Sequence, residues 1–189
     1  MQAAQSIGRL VGRAREGDEK AFEELVRLHF RAAYAVALAV LGSVDDAEDV
    51  AQEAFIVAYQ RLETCRDPDR FSGWVVQIAR NRALNALASR KVAASARLEL
   101  SRAIDASTTM ADPVGRTRDR LVAVLGRVTQ AQREVVLLHD LEGWTHAEIA
   151  EALGISEVMS RQHLFVARRS LRAMLAEGER KEVGDDVSR

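Results

Sequence analysis

Side chains able to do chemistry gather at three places in this 189-residue chain. Trp74, Gln77, Asn81 and Asn85 recur at i, i+3, i+7 and i+11, which on a helix sets them along one side. Arg80 and Arg82 flank that row, and Arg90 and Lys91 close it. An aromatic ring, amide edges and cations together suit unpaired bases, through stacking, edge hydrogen bonds and phosphate neutralisation. A second group, Arg161, Gln162 and Phe165, lies near the start of a later helix. Arg and Gln make bidentate contacts with guanine and adenine, and an apolar Phe can touch a thymine methyl. Arg168, Arg169 and Arg172 follow, better placed for phosphates. The third group is acidic: Asp45, Asp49 and Gln52 share a helix face, with Asp46, Glu48 and Glu53 beside it.

Each group has a plainer reading. Acids in a first helical turn are favoured by the helix dipole, so the acidic face can be merely solvated. Trp74 by itself reads better as core than as a base platform. A basic amphipathic helix can also serve a protein partner. For the last group, the surrounding segment favours DNA. LEGWTHAEIAEALGISEVMSRQHLFVARRSLRAML, at 141–175, has a helix, a turn at Gly154 and a second helix, the layout that places a recognition helix in the major groove.

Catalysis has no foothold in the motifs. His29, His139, His146 and His163 are scattered without ligand spacing, and there is no HExxH, P-loop, GxSxG or GxGxxG. Neither enzyme activity nor a metal or other cofactor is expected. Cys65 is alone, which excludes an internal disulfide and a Cys-based zinc site. The first residues lack the apolar core of a signal peptide, and AAYAVALAVL at 32–41 is about half a membrane span. The expectation is a cytoplasmic protein without membrane insertion. The net charge of −1 is unlike that of a DNA binder acting alone, but the charge is segregated. Residues 80–102 carry six cations against Glu99, and residues 45–53 carry acids only, so two kinds of partner are expected.

The elements that must position these groups are helical. Two prolines, 48% hydrophobic residues and abundant Ala, Leu, Glu and Arg favour helix almost throughout. A first helix is expected from an N-cap at Asp18 to Leu41, ended by Gly42; a second from Ser43 or Asp45 to about Leu62. The loop TCRDPDR follows, and Ser72 is expected to cap a third helix to Lys91. Residues 92–116 read as a linker with at most a short helix near 95–104. Helices resume near Arg118. Thr129 with Gln132 and Thr145 with Glu148 form capping boxes, and Ser156 caps the last helix, whose buried stripe is Leu164, Ala167, Leu171 and Leu175.

These segments, in this order, resemble a bacterial sigma factor of the extracytoplasmic-function type, group four of the sigma-70 family. DDAEDVAQEAF at 45–55 is similar to the family's region two-point-two, and FSGWVVQIARNRALNALASRK at 71–91 to the regions that melt and read the minus-ten element. QREVVLLHDLEGWTHAEIAEALGIS at 132–156 is similar to region four, the minus-thirty-five reader. The likeness covers about 18–91 and 118–176. It implies an all-α fold of two small helical domains joined by a flexible linker. Their bounds would be 18–91 for region 2 and 118–176 for region 4, with an N-terminal extension 1–17, a linker 92–117 and a charged tail 177–189.

What the family does can be carried over by position. Asp45, Asp46, Glu48, Asp49, Gln52 and Glu53 would face core RNA polymerase, whose beta-prime clamp and beta flap are the expected docks. The loop 64–71, with Arg66, Asp67 and Phe71, would join Trp74, Gln77, Asn81 and Asn85 in holding melted minus-ten DNA. Arg80, Arg82, Arg90 and Lys91 would meet its phosphates. Thr145, Ser156, Arg161, Gln162, His163, Phe165, Arg168 and Arg169 would meet minus-thirty-five DNA. The linker would thread toward the polymerase cleft, and an anti-sigma factor is an implied partner. Polymerase supplying most of the grip would account for the near-neutral charge. Ser160 stands where the family commonly has a buried Val. A response-regulator-like activator would need strand–helix alternation, which residues 1–91 do not show; a helical adaptor would act without promoter DNA.

Overall fold

The computed structural model describes residues 2–100 and 122–186, and these are helical with no strand among them. The helix boundaries follow local chemistry. Helix α1 spans Gln2–Arg15 and α2 spans Glu19–Leu41. Asp18 caps α2 by accepting from the Ala21 amide at 3.1 Å, and Gly42 ends it in the left-handed region at φ 64°. Helix α3, Val44–Gln60, leads through a 3-10 turn at Leu62–Thr64 and a second at Pro68–Arg70 into α4, Phe71–Leu100. After the segment outside the described residues come a helical turn at 122–125 and α5, Gln130–Val136. A single π turn, Leu137–Leu141, prolongs α5, followed by α6, His146–Leu153, and α7, Glu157–Asp186.

Both expected capping boxes are present: Thr129 with Gln132 opens α5, and Thr145 with Glu148 opens α6. Gly154 closes α6 at φ 69°, and the Ser156 hydroxyl accepts from Met159 N at 3.1 Å to start α7. Three boundaries differ from expectation. Residues 2–15 form a helix of their own, because Ile7, Leu10, Val11 and Ala14 make an apolar stripe that packs on the core. The approach to α4 is capped at Asp67, whose side chain accepts from Asp69 N at 3.2 Å with Pro68 at the first position, not at Ser72. Helix α4 continues through 92–100, inside the stretch expected to be linker. The rest of that linker, 101–117, and the expected start of region 4 at 118–121 lie outside the described residues.

Helix α2 is central. From Ala32 to Val40 nearly every side chain is buried, including Ala32, Ala33, Ala35, Val36, Ala37, Ala39 and Val40. The run of alanines, too short for a membrane span, instead lets α1, α3, α4 and α5 approach α2 closely. No described helix is long and apolar enough to cross a membrane. The two helical units share a continuous core. Leu25, Val36, Phe55, Phe71 and Val75 of the first are joined by Val135, Leu138, Ile149, Leu164 and Ala167 of the second.

His29 lies within this packing, its ring 5.6 Å from that of Phe71, with Nε2 buried and without a hydrogen-bond partner among the described residues. Burial pushes its pKa down to about 4 from the ordinary 6.5. The unfolded chain therefore takes up this proton below about pH 6.5 and the folded chain only below about 4. Stability is intact above the first value and declines as pH falls toward the second, by roughly 3 kcal/mol at most. His29→Leu should remove that component. The check is urea unfolding of both chains at pH 7 and pH 4.5, where the wild type should lose stability relative to His29→Leu in acid.

Candidate nucleic-acid interface

Helix α4 holds the first candidate surface. Gln77, Asn81 and Asn85 are exposed along one edge, as their spacing requires. Trp74 is half-buried: one face of its indole packs on the core beside Phe71, with ring centroids 5.8 Å apart, and its other edge lines a cleft of about 280 Å³. Core residue and base platform are thus compatible roles for one ring. Cys65, Arg66, Asp67 and Gln77 line the same cleft, so the loop and the α4 edge are brought together. Phe71 is a correction. It is fully buried, because α4 starts there and its first turn faces α2, so it supports Trp74 from behind and presents nothing to a strand. The Asp67 carboxylate is committed to its cap and to Arg70 at 3.1 Å, whereas Arg66 is exposed.

Acidic and basic groups are less segregated in space than in sequence. Arg82 donates to Glu53 at 2.8 Å, and Arg90 pairs with Asp46. The Arg90 guanidinium holds the Asp46 carboxyl below the usual range. Asp45, Glu48, Asp49 and Gln52 remain exposed on α3, and the three acids make no ion pair among the described residues. Of the six residues singled out on this helix, these four are thus exposed and unengaged by Arg82 or Arg90. The side chain of Lys91 lies outside the described residues.

The flank of α4 beside that exposed row meets α5 and α6. Arg80, expected at a phosphate, instead donates through Nε to Glu134 of α5 at 3.0 Å. Glu134 is 1% exposed and accepts a further bond from Gln130 at 2.9 Å. Arg133 reaches across to the Ala39 carbonyl at 2.7 Å, Arg31 pairs with Glu142 at 3.3 Å, and Arg70 pairs with Glu151 of α6. Ala152 sits against Gly73, where an added Cβ would lie 3.9 Å from its own. Glu151 and Ala152 thereby close one side of the Trp74 cleft.

The second surface is the exposed face of α7. Arg161, Gln162, Phe165, Arg168 and Arg169 all face solvent, with Phe165 68% exposed, and His163 is half-buried beside them. Arg161 is held by Glu157 at 2.7 Å and Arg168 by Asp140, whose carboxyl this pairing keeps below its ordinary range. Thr145 is spent on its capping box, giving a 2.7 Å bond to Glu148, and Ser156 on its own cap. Both therefore position the motif through its helix starts. Ser160 is fully buried, and its hydroxyl meets His146 Nδ1 at 2.9 Å. A hydroxyl replaces an apolar side chain there without leaving a polar group unmet. Ser160→Ala should cost about 1 kcal/mol of stability, measured by the denaturant midpoint, while leaving the α7 surface intact.

Sequence reasoning missed Glu134, Glu151 and Arg15. The first two act over long range. Arg15 ends a helix whose apolar stripe, interrupted by Gly8 and Gly12, could have signalled it. Its guanidinium donates to the carbonyls of Leu62 and Cys65.

Comparison with known proteins covers the segments that carry both surfaces. The model of Sigma-70 region 2 matches residues 25–92, and that of Sigma-70, region 4 matches 118–171. The probable RNA polymerase sigma factor RfaY of Xanthomonas campestris is 32% identical over 84% of this chain, which spans 41% of that relative's length. The ECF RNA polymerase sigma factor SigE of Mycolicibacterium smegmatis is 30% identical over 85% of this chain and 65% of its own. Among solved structures, CnrH in complex with the cytosolic domain of CnrY superposes with a TM-score of 0.68 at 28% identity. It covers 91% of this chain and 98% of that one.

Proposed function

The chain belongs to the sigma-70 family, in its extracytoplasmic-function branch, and on that premise we propose that it directs core RNA polymerase to promoters and opens them. One observation carries the reading. An exposed row of amides beside a half-buried Trp sits in the same chain as a doubly capped helix-turn-helix with a cationic outer face. The first arrangement suits unpaired bases and the second a duplex major groove.

The residues divide as follows. Asp45, Glu48, Asp49 and Gln52 on α3 dock on the polymerase clamp, with region 4 on the flap. Trp74, Gln77, Asn81, Asn85 and Arg66 hold the melted strand, and Arg80, Arg82, Arg90 and Lys91 neutralise phosphates. Arg161, Gln162, Phe165, Arg168 and Arg169 read the upstream duplex, with His163 beside them. Arg80 cannot serve Glu134 and a phosphate at once, so α5 and α6 must leave α4 before the strand binds. Arg82 and Arg90 must likewise exchange an acid on α3 for a phosphate. The linker passes toward the polymerase cleft.

The protein acts in the cytoplasm, has no chemistry of its own, and uses polymerase as its catalyst. CnrH is seen with the cytosolic domain of CnrY, and here too a protein partner, an anti-sigma factor, binds the chain. The test is assembly of the chain with purified core polymerase, followed by binding to forked DNA with an unpaired downstream strand. Tight ternary assembly on forked DNA, weaker on fully paired DNA, is the expected result. Binding to neither polymerase nor forked DNA would overturn the reading.

A further inference from the structure

Helix α1 lies ahead of the matched region 2 stretch, yet it touches both ends of the loop that borders the Trp74 cleft. Val11 and Ala14 are buried, and Ile7 and Leu10 pack on the same core, which fixes the helix axis. Arg15, its last residue, is thereby aimed at the loop. Its Nε and Nη2 donate to the Leu62 carbonyl at 3.3 and 3.1 Å, and Nη2 donates also to the Cys65 carbonyl. At the other end, Gly8 passes so near the Pro68–Arg70 turn that an added Cβ would lie 2.5 Å from Asp69 Oδ1.

The loop's other backbone bonds among the described residues are local: Thr64 N donates to the Arg61 carbonyl at 2.8 Å and Cys65 N to that of Leu62 at 3.1 Å, so Arg15 is what ties the loop backbone to another helix. Helix α3 stops at Gln60, the following turn spans three residues, and Cys65 is already extended at ψ 92°. Cys65 is buried, its thiol donating to the Asp67 carbonyl at 3.4 Å, and Arg66 beside it is exposed at the cleft. A planar guanidinium can hold two carbonyls in fixed relation, which an ammonium on a flexible stem does poorly. The Arg15 side chain is only 24% exposed, so water replaces it badly.

We propose that Arg15 is a positioning residue for base selection: by tying the Leu62 and Cys65 carbonyls to α1, it sets where Arg66 and the loop backbone stand against Trp74. The base preference at the strand position facing the loop then depends on a residue that touches no DNA. This rests on the assignment of the cleft to melted DNA made above.

The test uses the full chain assembled with core polymerase. Arg15→Met keeps the aliphatic stem, and Arg15→Lys keeps the charge. The probe is a pool of forked duplexes whose unpaired strand is randomised, sequenced after selection on wild-type and variant holoenzymes. With Arg15→Met, we expect polymerase affinity and thermal midpoint near wild type, a flattened preference at one strand position, and about ten-fold weaker binding of the wild-type winners. Arg15→Lys should fall between the two. Either variant selecting the wild-type base with wild-type affinity would overturn the proposal. So would both variants losing stability, polymerase binding and DNA binding together, since Arg15 would then be a folding residue only. A wild-type holoenzyme that selects no sequence would instead overturn the base-reading assignment itself, and the proposal with it.

Discussion

Glu134→Gln should bind core polymerase more tightly than the wild-type chain while unfolding more easily. The side chain joins the two helical units by accepting from Arg80, and accepts also from Gln130 of its own helix, in a fully buried position. Breaking a buried pair costs about 3–5 kcal/mol when the remaining charge is stranded. Arg80 is 27% exposed and can turn toward water, so a loss of about 2 kcal/mol in the packed arrangement is the better figure. A packed state weakened by about 2 kcal/mol raises the fraction open to polymerase by up to about thirty-fold, and apparent affinity rises with it. Arg80→Gln should loosen the same contact but weaken binding to forked DNA, since it also removes a phosphate partner. Titration of labelled polymerase, together with urea denaturation of the free chain, checks both. A Glu134→Gln chain less stable yet no tighter on polymerase would show that the packed arrangement does not compete with assembly.

Charge reversal on α3 and truncation on α4 should separate polymerase binding from DNA opening. Asp49 is exposed and makes no ion pair among the described residues. Asp49→Lys sets like charges together at a basic dock, which costs several kcal/mol and should weaken polymerase binding by more than about a hundred-fold. Trp74→Ala removes a stacking surface worth about 1–3 kcal/mol per base, so open-complex formation should fall about thirty-fold. Asn81→Ala should follow in the same direction with a smaller loss, since Asn81 is an exposed amide and offers no ring for stacking. Polymerase affinity should be nearly unchanged in both α4 variants. Trp74 also packs against Phe71, so its thermal midpoint must be measured alongside. Equal losses in the two assays for either class would contradict the division between α3 and α4.

The legible parts of this fold were the local ones. A Thr followed three residues later by Gln or Glu specifies a helix start from four residues, and Thr129 and Thr145 both deliver it. Gly42 and Gly154 mark stops because each adopts positive φ. The amide row on α4 was legible because helical periodicity alone sets it on one edge. Misreadings arose where two local signals competed. Ser72 looks like a cap, but Asp67 with Pro68 after it starts the turn sooner. Residues 2–15 carry a helical stripe interrupted by Gly8 and Gly12, which hid a helix that packing stabilises. The pairing of Arg80 with Glu134 joins residues 54 apart, and no spacing rule reaches that far. For the same reason the acidic and basic stretches read as two free patches, when Asp46 and Glu53 in fact hold Arg90 and Arg82.

Transcription of a fragmented genomic library by core polymerase, with and without this chain, tests the central claim most directly. Discrete new start sites that share two spaced upstream elements are the predicted result, with the downstream element lost to Trp74→Ala and the upstream one to Arg161→Ala. Transcripts unchanged by the chain, with no complex formed between it and polymerase, would contradict the assignment.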